Sequence, residues 1–441
     1  MIVMKFGGSS VKNAERISNV ASIVKSRLSQ KPIIVVSALG GITDLLIDTA
    51  NAAREGKEFR KNLKEIAERH HSTLNDLKLD VSMVDALLQE YSAIVEEIGK
   101  IKEITPALMD QIQSFGERMS ARIVAAAFNK LGIKAEAYDA YDIGLITNDD
   151  HGNAEPLEEA YPLIKKRLEG KRSVPIITGF IAKNKAGTIT TLGRGGSDYT
   201  AAIIGAAVDA DEIQIWTDVN GVMTTDPRIV PHARTIPEIS FNEASELAFF
   251  GAKVLHPKTI LPAVEKNIPV KVLNTYEPDN KGTTVVKEAT QTKGAVKAIA
   301  CKKDIILVTV NSLRMLEAHG FLAKLFEVFA KYRKSVDMIS TSEVSVSLTV
   351  NQEKDLDKII KECSKFADVK VSNGKALICL VGEGMKHTAG IARKIFSTIG
   401  KNGISIEMIS QGASEINISF IVSEAQREKV INILHDEFFG K

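Results

Sequence analysis

The chain has 441 residues, more than one hydrophobic core ordinarily organises, which indicates two or three domains. Its composition, 44% hydrophobic and 25% charged, is typical of a globular protein, and a net charge of +2 gives no field for binding nucleic acid or an acidic membrane surface. The sequence has no signal-peptide pattern and no apolar run of about 18 residues, so no membrane span is expected.

The first two-thirds of the chain alternates strand and helix patterns. Short apolar runs at 2–6, 32–37 and 174–178 predict buried strands, and amphipathic segments at 13–28 and 43–53 predict helices between them. Continuous apolar strands separated by helices indicate an α/β fold with a mostly parallel sheet that helices cover on both faces.

A helical insertion is predicted between these strands. Residues 58–104 lack strand patterns and are rich in helix-forming residues. His70 lies in a polar part of this insertion, and we expect it to face solvent. Thr105 and Pro106 then suit the cap and the first turn of a long helix.

The next elements complete the first domain, which we expect to span 1–280. Residues 180–192 alternate like a hairpin, 198–208 form a helix of small residues, and 212–216 form a strand. A last strand is predicted at 269–273.

An internal repeat follows a polar linker at 281–296. Residues 390–420 repeat the pattern of 320–350, seventy positions earlier. Each copy reads as a helix after a glycine and then two strands, and a further strand precedes each copy. Such a repeat predicts two copies of one βαββ unit, packed against each other, within 297–441.

Three glycine-centred segments carry the polar side chains that point to chemistry. In 5–10 (KFGGSS), the glycines let backbone N–H groups approach a phosphate, and the lysine adds a positive charge. In 192–201 (LGRGGSDYTA), the arginine can bind a carboxylate and the aspartate can hold an ammonium group, a pairing suited to a free amino acid. The third segment, 216–228, follows a strand, where ligands bind in open α/β sheets. Taken singly, each segment could also be an ordinary turn or loop.

Several familiar patterns are absent. The sequence has no Walker A motif, no dinucleotide fingerprint after a strand and no protein-kinase signature set. The three cysteines form no C-x-x-C pair, which argues against a disulfide framework or a structural zinc site and predicts a cytoplasmic location.

Five segments occur in a fixed order along the chain, namely 5–11 (KFGGSSV), 116–117 (GE), 192–201, 216–221 (WTDVNG) and 251–257 (GAKVLHP). In these segments, and over its whole length, the chain resembles the monofunctional aspartokinases of the amino-acid kinase superfamily. The resemblance implies an amino-acid kinase fold followed by two α+β ACT-like domains of βαββαβ order. These would lie at about 305–374 and about 375–441, the latter completed by a strand at 297–303.

The implied reaction moves the γ-phosphoryl group of ATP to the β-carboxylate of L-aspartate, with Mg²⁺ held mainly by ATP phosphates and no metal site in the protein. The implied catalytic residues are Lys5, which would contact the transferring group, and Asp198. Arg194 would bind the α-carboxylate, and Glu117 and Asp198 the ammonium group. The implied substrate-binding residues are Thr43, Glu117, Phe180, Arg194, Gly195, Gly196, Ser197 and Asp198. The implied nucleotide-binding residues are Lys5, Gly7, Gly8, Ser9, Ser37, Thr217, Asp218, Met223, Arg228 and Lys253. Met223 stands where the family commonly has an aromatic residue.

The first repeat contains the segments 312–313 (SL), 315–316 (ML), 320–323 (GFLA), 336–337 (VD) and 341–346 (TSEVSV). With these segments it resembles the first repeat of the lysine-sensitive aspartokinases. The implied effector pocket, between two subunits, consists of Met315, Gly320, Leu322, Asp337, Ser342 and Glu343. Asp337 and Glu343 suit the two ammonium groups of L-lysine, and threonine, methionine or their derivatives are the alternative effectors. The resemblance implies a homodimer through the ACT domains, with a tetramer as the alternative.

Two other functions stay open from the sequence. One is an amino-acid kinase acting on glutamate, N-acetylglutamate, carbamate or UMP, against which the segment 192–201 and the paired repeats speak. The other is a non-catalytic amino-acid sensor on a kinase scaffold, against which the presence of Lys5, Glu117, Arg194 and Asp198 speaks.

Overall fold

A computed structural model describes residues 1–251, 255–289, 295–312, 319–351, 354–385, 388–412 and 416–440. The chain divides into two compact units. The first unit comprises Met1–Val222, Pro237–Phe241 and Val254–Ala289, and the second comprises Met223–Ile236, Asn242–Lys253 and Thr290–Lys441.

The first unit is built on an eight-stranded sheet. Its strands and those of a small neighbouring sheet are β1 (Ile2–Phe6), β2 (Pro32–Val36), β3 (Ala135–Tyr138), β4 (Ile146–Thr147), β5 (Val174–Thr178), β6 (Ile181–Asn184), β7 (Ile189–Thr191), β8 (Glu212–Thr217), β9 (Glu238–Ser240), β10 (Val270–Asn274) and β11 (Thr283–Val286). In the described residues the large sheet has the order β3-β5-β2-β1-β8-β10-β11-β9, and only the β10–β11 pair in it is antiparallel. Strands β4, β6 and β7 form the small sheet. The predicted mostly parallel sheet is confirmed, and β11 lies within the predicted linker.

Helices surround this sheet in the described part of the first unit. They are α1 (Ala14–Lys25), α2 (Ile42–Glu55), α3 (Arg60–Asp76), α4 (Asp85–Ile101), α5 (Pro106–Lys130), α6 (Ala160–Leu168), α7 (Gly196–Ala207) and, after α8 (Phe241–Phe249) at the unit boundary, α9 (Pro257–Glu265). The long helix α5 begins as its sequence predicts, because the Thr105 hydroxyl accepts a hydrogen bond from the Leu108 N–H at 3.2 Å. Buried side chains of β1, β2, α1, α2 and α5 form a common core.

The insertion α3–α4 departs from its prediction at one residue. His70 is fully buried, although we expected it to face solvent. It shares the inner face of α3 with Ile66 and Leu74, which lie one turn before and one turn after it. Its Nδ1 lies 2.7 Å from the Ile66 carbonyl oxygen, and burial lowers the pKa of His70 to about 4.

The described part of the second unit contains one antiparallel sheet of six strands. The strands are β12 (Ala298–Asn311), β13 (Met338–Thr341), β14 (Ser345–Val350), β15 (Asp368–Val381), β16 (Met408–Ser410) and β17 (Asn417–Ser423), in the order β13-β14-β12-β15-β17-β16. Its helices are α10 (Phe321–Lys331), α11 (Leu356–Cys363), α12 (Ile391–Lys401) and α13 (Arg427–Phe439).

The predicted repeat is visible in this unit. Helices α10 and α12 follow Gly320 and Gly390, which both have left-handed backbone conformations, with φ of 83° and 86°. The first half of β12 pairs with the second half of β15, and the second half of β12 pairs with the first half of β15. Each α+β repeat therefore contains half of each long strand. No helix among the described residues is long and apolar enough to cross a membrane.

Candidate active site

A cavity of about 320 Å³ lies at the carboxyl ends of β1 and β2 in the first unit. Its lining residues are Lys5, Gly8, Ser37, Ala38, Leu39, Gly40, Gly41, Thr43, Asp44, Glu117, Phe180, Gly193, Gly195, Gly196, Ser197 and Asp198. Loops that follow neighbouring parallel strands meet at one edge of a sheet, which is where open α/β proteins bind ligands. The topology thus brings together the glycine-containing segments 5–8, 37–44 and 193–198, which are far apart in the sequence.

Two helices begin at the wall of this cavity. Helix α2 starts after Gly41 and α7 after Gly195, and both glycines have positive φ, 78° and 70°. Thr43 and Ser197, in the first turns of these helices, line the cavity. Because the N–H groups of a first helical turn have no partner within the helix and carry partial positive charge, this wall favours an anionic ligand.

The cationic group in the cavity is Lys5. Its Nζ lies 2.6 Å from Asp198 Oδ1, and the two side chains are only 12% and 14% exposed. An ammonium group has three N–H donors, so Lys5 can hold Asp198 and still donate to an anion in the cavity. Beside this pair, the Ser37 hydroxyl donates to Ser197 Oγ at 2.9 Å, which joins the turn after β2 to the start of α7.

Glu117 supplies a buried carboxyl group to the same cavity. Its Oε1 accepts a hydrogen bond from the Ala38 N–H at 3.2 Å, while its Oε2 has no hydrogen-bond partner among the residues that the structure describes. Burial raises the pKa of Glu117 to about 8, although the hydrogen bond from Ala38 opposes this shift. A cationic group of a ligand would favour the ionised form, so Glu117 is suited to bind an ammonium group.

Glycine at position 116 makes this placement of Glu117 possible. A Cβ atom at Gly116 would lie 2.6 Å from the Cβ of Ala38, too close for any side chain. The missing side chain lets α5 approach the turn after β2, and the Ala38 N–H can then reach Glu117.

Most of the predicted substrate and phosphate residues line the cavity. They are Lys5, Gly8, Ser37, Thr43, Glu117, Phe180, Gly195, Gly196, Ser197 and Asp198. Arg194 is exposed and is not one of the lining residues, and no side-chain hydrogen bond or ion pair involves it within the described chain.

The remaining predicted nucleotide residues of the first unit lie next to the cavity. Gly7 and Ser9 belong to the same turn as Gly8. The Gly7 N–H donates to the Trp216 carbonyl oxygen at 3.3 Å. The Thr217 hydroxyl donates to Asp218 Oδ1 at 3.1 Å. Gly7 and Ser9 follow β1. Thr217 is the last residue of β8 and Asp218 follows it, and the two strands are adjacent and parallel.

Three predicted nucleotide residues lie outside the described part of the first unit. Met223 and Arg228 belong to the second unit, where the exposed Arg228 guanidinium pairs with Asp226 at 2.6 Å. Lys253 lies outside the described residues. The nucleotide-binding role of these three residues therefore stays a prediction.

Part of the cavity wall was not predicted from the sequence, namely Ala38, Leu39, Gly40, Gly41 and Asp44. Gly40 and Gly41 follow β2 and precede α2, as Gly7 and Gly8 follow β1. A glycine pair between a buried strand and a helix was thus a signal available in the sequence.

The predicted effector residues lie at the ends of elements in the first repeat. Gly320 precedes α10 and Leu322 lies in its first turn, where it is exposed. Ser342 and Glu343 form the exposed turn between β13 and β14. Met315 lies outside the described residues.

Asp337, the remaining predicted effector residue, is already paired. It directly precedes β13, and its Oδ2 lies 2.7 Å from Nζ of Lys302. The Asp337 side chain is only 5% exposed. An ammonium group of the chain itself thus occupies the carboxylate expected to bind an ammonium group of the effector.

The chain is similar to known proteins over nearly its whole length. The amino acid kinase family matches residues 1–274, and the ACT domain matches residues 308–363 and 378–438. The chain is 43% identical to aspartokinase 1, chloroplastic, of Arabidopsis thaliana over 455 residues, which cover 99% of this chain and 80% of that protein. It is 37% identical to lysine-sensitive aspartokinase 3 of Escherichia coli strain K12, covering 100% of this chain and 99% of the relative.

Two crystal structures of E. coli aspartokinase III are similar over the whole chain. The structure in complex with lysine and aspartate, in the T-state, has a TM-score of 0.83 at 36% sequence identity and covers 100% of this chain and 99% of that one. The structure in complex with aspartate and ADP, in the R-state, has a TM-score of 0.82 at 36% identity and covers 100% of both chains.

Proposed function

This chain belongs to the aspartokinase family, and we propose that it transfers the γ-phosphoryl group of ATP to the β-carboxylate of L-aspartate, giving 4-phospho-L-aspartate and ADP. The observation that carries the proposal is the meeting of Lys5, two helix N-termini and the buried Glu117 in one cavity. This reaction is the first step of lysine, threonine and methionine biosynthesis.

The chemistry requires charge neutralisation more than proton transfer. The β-carboxylate of aspartate is ionised at neutral pH, so its attack on a phosphoryl group needs no general base. The reaction brings anions together, and catalysis therefore rests on in-line positioning and on cations at the developing charge. Lys5 and the N–H groups at the starts of α2 and α7 are placed for that task.

Each end of the substrate has a candidate partner. Glu117 binds the ammonium group of aspartate, Asp198 helps to hold it, and Arg194 closes on the α-carboxylate. Thr43, Phe180 and the turn that starts α7 complete the site.

MgATP enters as one substrate, with Mg²⁺ bound mainly by phosphate oxygens. Two acidic residues of the cavity are poorly suited to take the metal: Asp198 is paired with Lys5, and burial raises the pKa of Glu117 to about 8. Gly7, Gly8, Ser9 and Ser37 lie on the phosphate side. The other proposed nucleotide contacts are Thr217, Asp218, Met223, Arg228 and Lys253.

The acceptor is tested by measuring ADP release from MgATP with L-aspartate, L-glutamate, N-acetyl-L-glutamate, carbamate and UMP. Turnover with aspartate alone is the expected result. Turnover with another acceptor instead would assign a different amino-acid kinase. If no acceptor is turned over but an amino acid binds in calorimetry, the chain is a sensor.

Arg194→Ala is expected to raise the KM for aspartate by roughly 10- to 100-fold, because it removes a charge-assisted contact to the α-carboxylate. Steady-state kinetics should show a much smaller change in kcat. Arg167→Ala, which removes an exposed arginine of α6, is the control and should behave like the wild type. An unchanged KM for aspartate in the Arg194 variant would remove this residue from the substrate site.

We further propose that the second unit binds L-lysine and lowers activity. Its repeats match the ACT domain, and the effector pocket would form between two copies of the chain, with Met315, Gly320, Leu322, Asp337, Ser342 and Glu343 as contacts. A homodimer through the ACT repeats provides that pocket, and a tetramer is the alternative. The unpaired Cys301, Cys363 and Cys379 suit a reducing compartment such as the cytoplasm.

Lysine has to displace Lys302 if it binds Asp337. Lys302→Met removes this competitor, so we expect the lysine concentration for half-inhibition to fall roughly tenfold, with basal kinetics unchanged. Dose–response curves measure the effect. Lys303→Met, which removes the exposed neighbouring charge, is the control. A half-inhibitory concentration that stays constant or rises in the Lys302 variant would contradict the competition.

A further inference from the structure

Asp110, in α5, is a buried carboxylate that does not line the cavity. It is 1% exposed and accepts three hydrogen bonds: from His151 Nδ1 at 2.7 Å, from the Gly152 N–H at 3.1 Å and from the Thr191 hydroxyl at 2.5 Å. A buried carboxylate is costly unless its oxygens are compensated, and here the compensating donors come from two segments remote in sequence. Asp110 thus fastens both segments to α5.

Helix α5 also carries Glu117, which lies in the cavity. Glu117 lies seven positions after Asp110, and seven positions make about two helical turns, so both side chains lie on the same face. Ser114, between them on that face, is buried as well. Helix α5 therefore carries both Glu117, whose carboxyl group is proposed to bind the ammonium group, and Asp110, whose carboxylate binds the two remote segments.

The two fastened segments support the loop that contains Arg194. Thr191 ends β7, two residues before Gly193, and its carbonyl oxygen accepts the Ala154 N–H at 2.9 Å. Gly193 has φ of 76°, and a Cβ atom there would lie 3.0 Å from the Gly152 carbonyl oxygen and 3.1 Å from Asn153 Oδ1. The loop thus rests directly on the segment that Asp110 holds.

We propose that Asp110 is a positioning residue for the acceptor amino acid, because it fixes the position and orientation of the 193–195 loop relative to Glu117. The inference rests on the proposed function, in which Arg194 of this loop binds the α-carboxylate of aspartate. Asp110 acts through the loop and touches neither substrate. Weakening it should therefore impair aspartate binding and leave MgATP binding and the chemical step nearly unchanged.

Thr191→Val tests the proposal with the least disturbance, because valine keeps the shape of threonine and removes only the hydroxyl donor to Asp110. We expect Thr191→Val to raise the KM for aspartate roughly tenfold, the loss that one hydrogen bond to a charged group implies. Asp110→Asn should have the same direction of effect. The KM for ATP and kcat should change by less than about twofold, because the lost hydrogen bond affects only the acceptor side of the site.

Two controls separate positioning from a general loss of structure. Thr191→Ser keeps the hydroxyl and should restore the KM for aspartate to near the wild-type value. Asp150→Asn changes an exposed acid of the neighbouring turn and should have no effect. Equal KM values for the Val and Ser variants, or a parallel loss in the KM for ATP and kcat, would overturn the proposal.

Calorimetric titration with L-aspartate gives the same comparison without turnover. Weaker binding to the Thr191→Val variant than to the Thr191→Ser variant supports positioning, and equal binding overturns it. A wild-type chain that binds aspartate but does not phosphorylate it would refute the proposed function while this comparison still decides the role of Asp110.

Discussion

Lys5→Ala is expected to lower kcat by roughly 100- to 1,000-fold, the effect typical of removing one donor at a developing negative charge. Lys5 is the cation that lines the cavity at the end of β1, and its ammonium group can donate to a phosphoryl group while it holds Asp198. The KM for aspartate should change far less than kcat, because Glu117 and Arg194 still bind the substrate. Steady-state kinetics with saturating MgATP measures both constants.

The folded state of this variant has to be checked, because removing Lys5 leaves the Asp198 carboxylate without its 2.6 Å partner in a largely buried place. Circular dichroism and thermal unfolding serve that purpose. Lys25→Ala, at the exposed end of α1, is the matched control and should keep wild-type kinetics. A folded Lys5→Ala variant with wild-type kcat would exclude Lys5 from the chemical step.

Glu117→Gln is expected to raise the KM for aspartate by roughly 10- to 100-fold, because an amide cannot form the ion pair with the substrate ammonium group. The pH dependence is more diagnostic. Burial raises the pKa of Glu117 from its ordinary 4.5 to about 8, so below that pH the carboxyl group must lose a proton before it pairs with aspartate.

The wild-type KM for aspartate should therefore fall as pH rises towards about 8 and then level off. The KM of Glu117→Gln should be nearly independent of pH over this range. Steady-state kinetics from about pH 6.5 to about pH 8.5 measures the difference between the two KM profiles. Parallel profiles for the two proteins would show that another group controls the binding of aspartate.

The same shift predicts an effect on stability without ligand. Because the pKa of Glu117 is higher in the folded than in the unfolded state, its contribution to stability is complete below pH 4.5 and is lost as pH rises to about 8. Glu117→Gln should thus gain thermal stability over the wild type as the pH is raised, as seen in Tm values. A constant difference in Tm across this range would contradict the raised pKa.

Long apolar or strongly periodic segments of the fold were predictable from the sequence. Strands β1, β2 and β5 are buried apolar runs, and α5 has a clear start at Thr105. Strands β3, β4 and β9 were missed because they are short and partly polar. Such segments become strands only through pairing with remote neighbours, and local sequence does not contain that information.

The candidate site shows the same division. Motifs and resemblance supplied Lys5, Glu117 and Asp198, which the topology brings to one cavity. The pairing of Lys302 with Asp337 could not be predicted, since it joins two segments through the folded sheet. The burial of His70 was missed for a related reason: composition describes a segment as polar, whereas the packing of one helix face buries individual residues.

Trapping with hydroxylamine tests the proposed acceptor group most directly. An acyl phosphate formed on the β-carboxylate reacts with hydroxylamine to give the β-hydroxamate of aspartate, which mass spectrometry identifies and locates. Incubation of the chain with MgATP, L-aspartate and hydroxylamine should give this hydroxamate in amounts equal to the ADP released, and no hydroxamate without ATP. Release of ADP without the β-hydroxamate, or formation of the α-hydroxamate instead, would contradict transfer to the β-carboxylate.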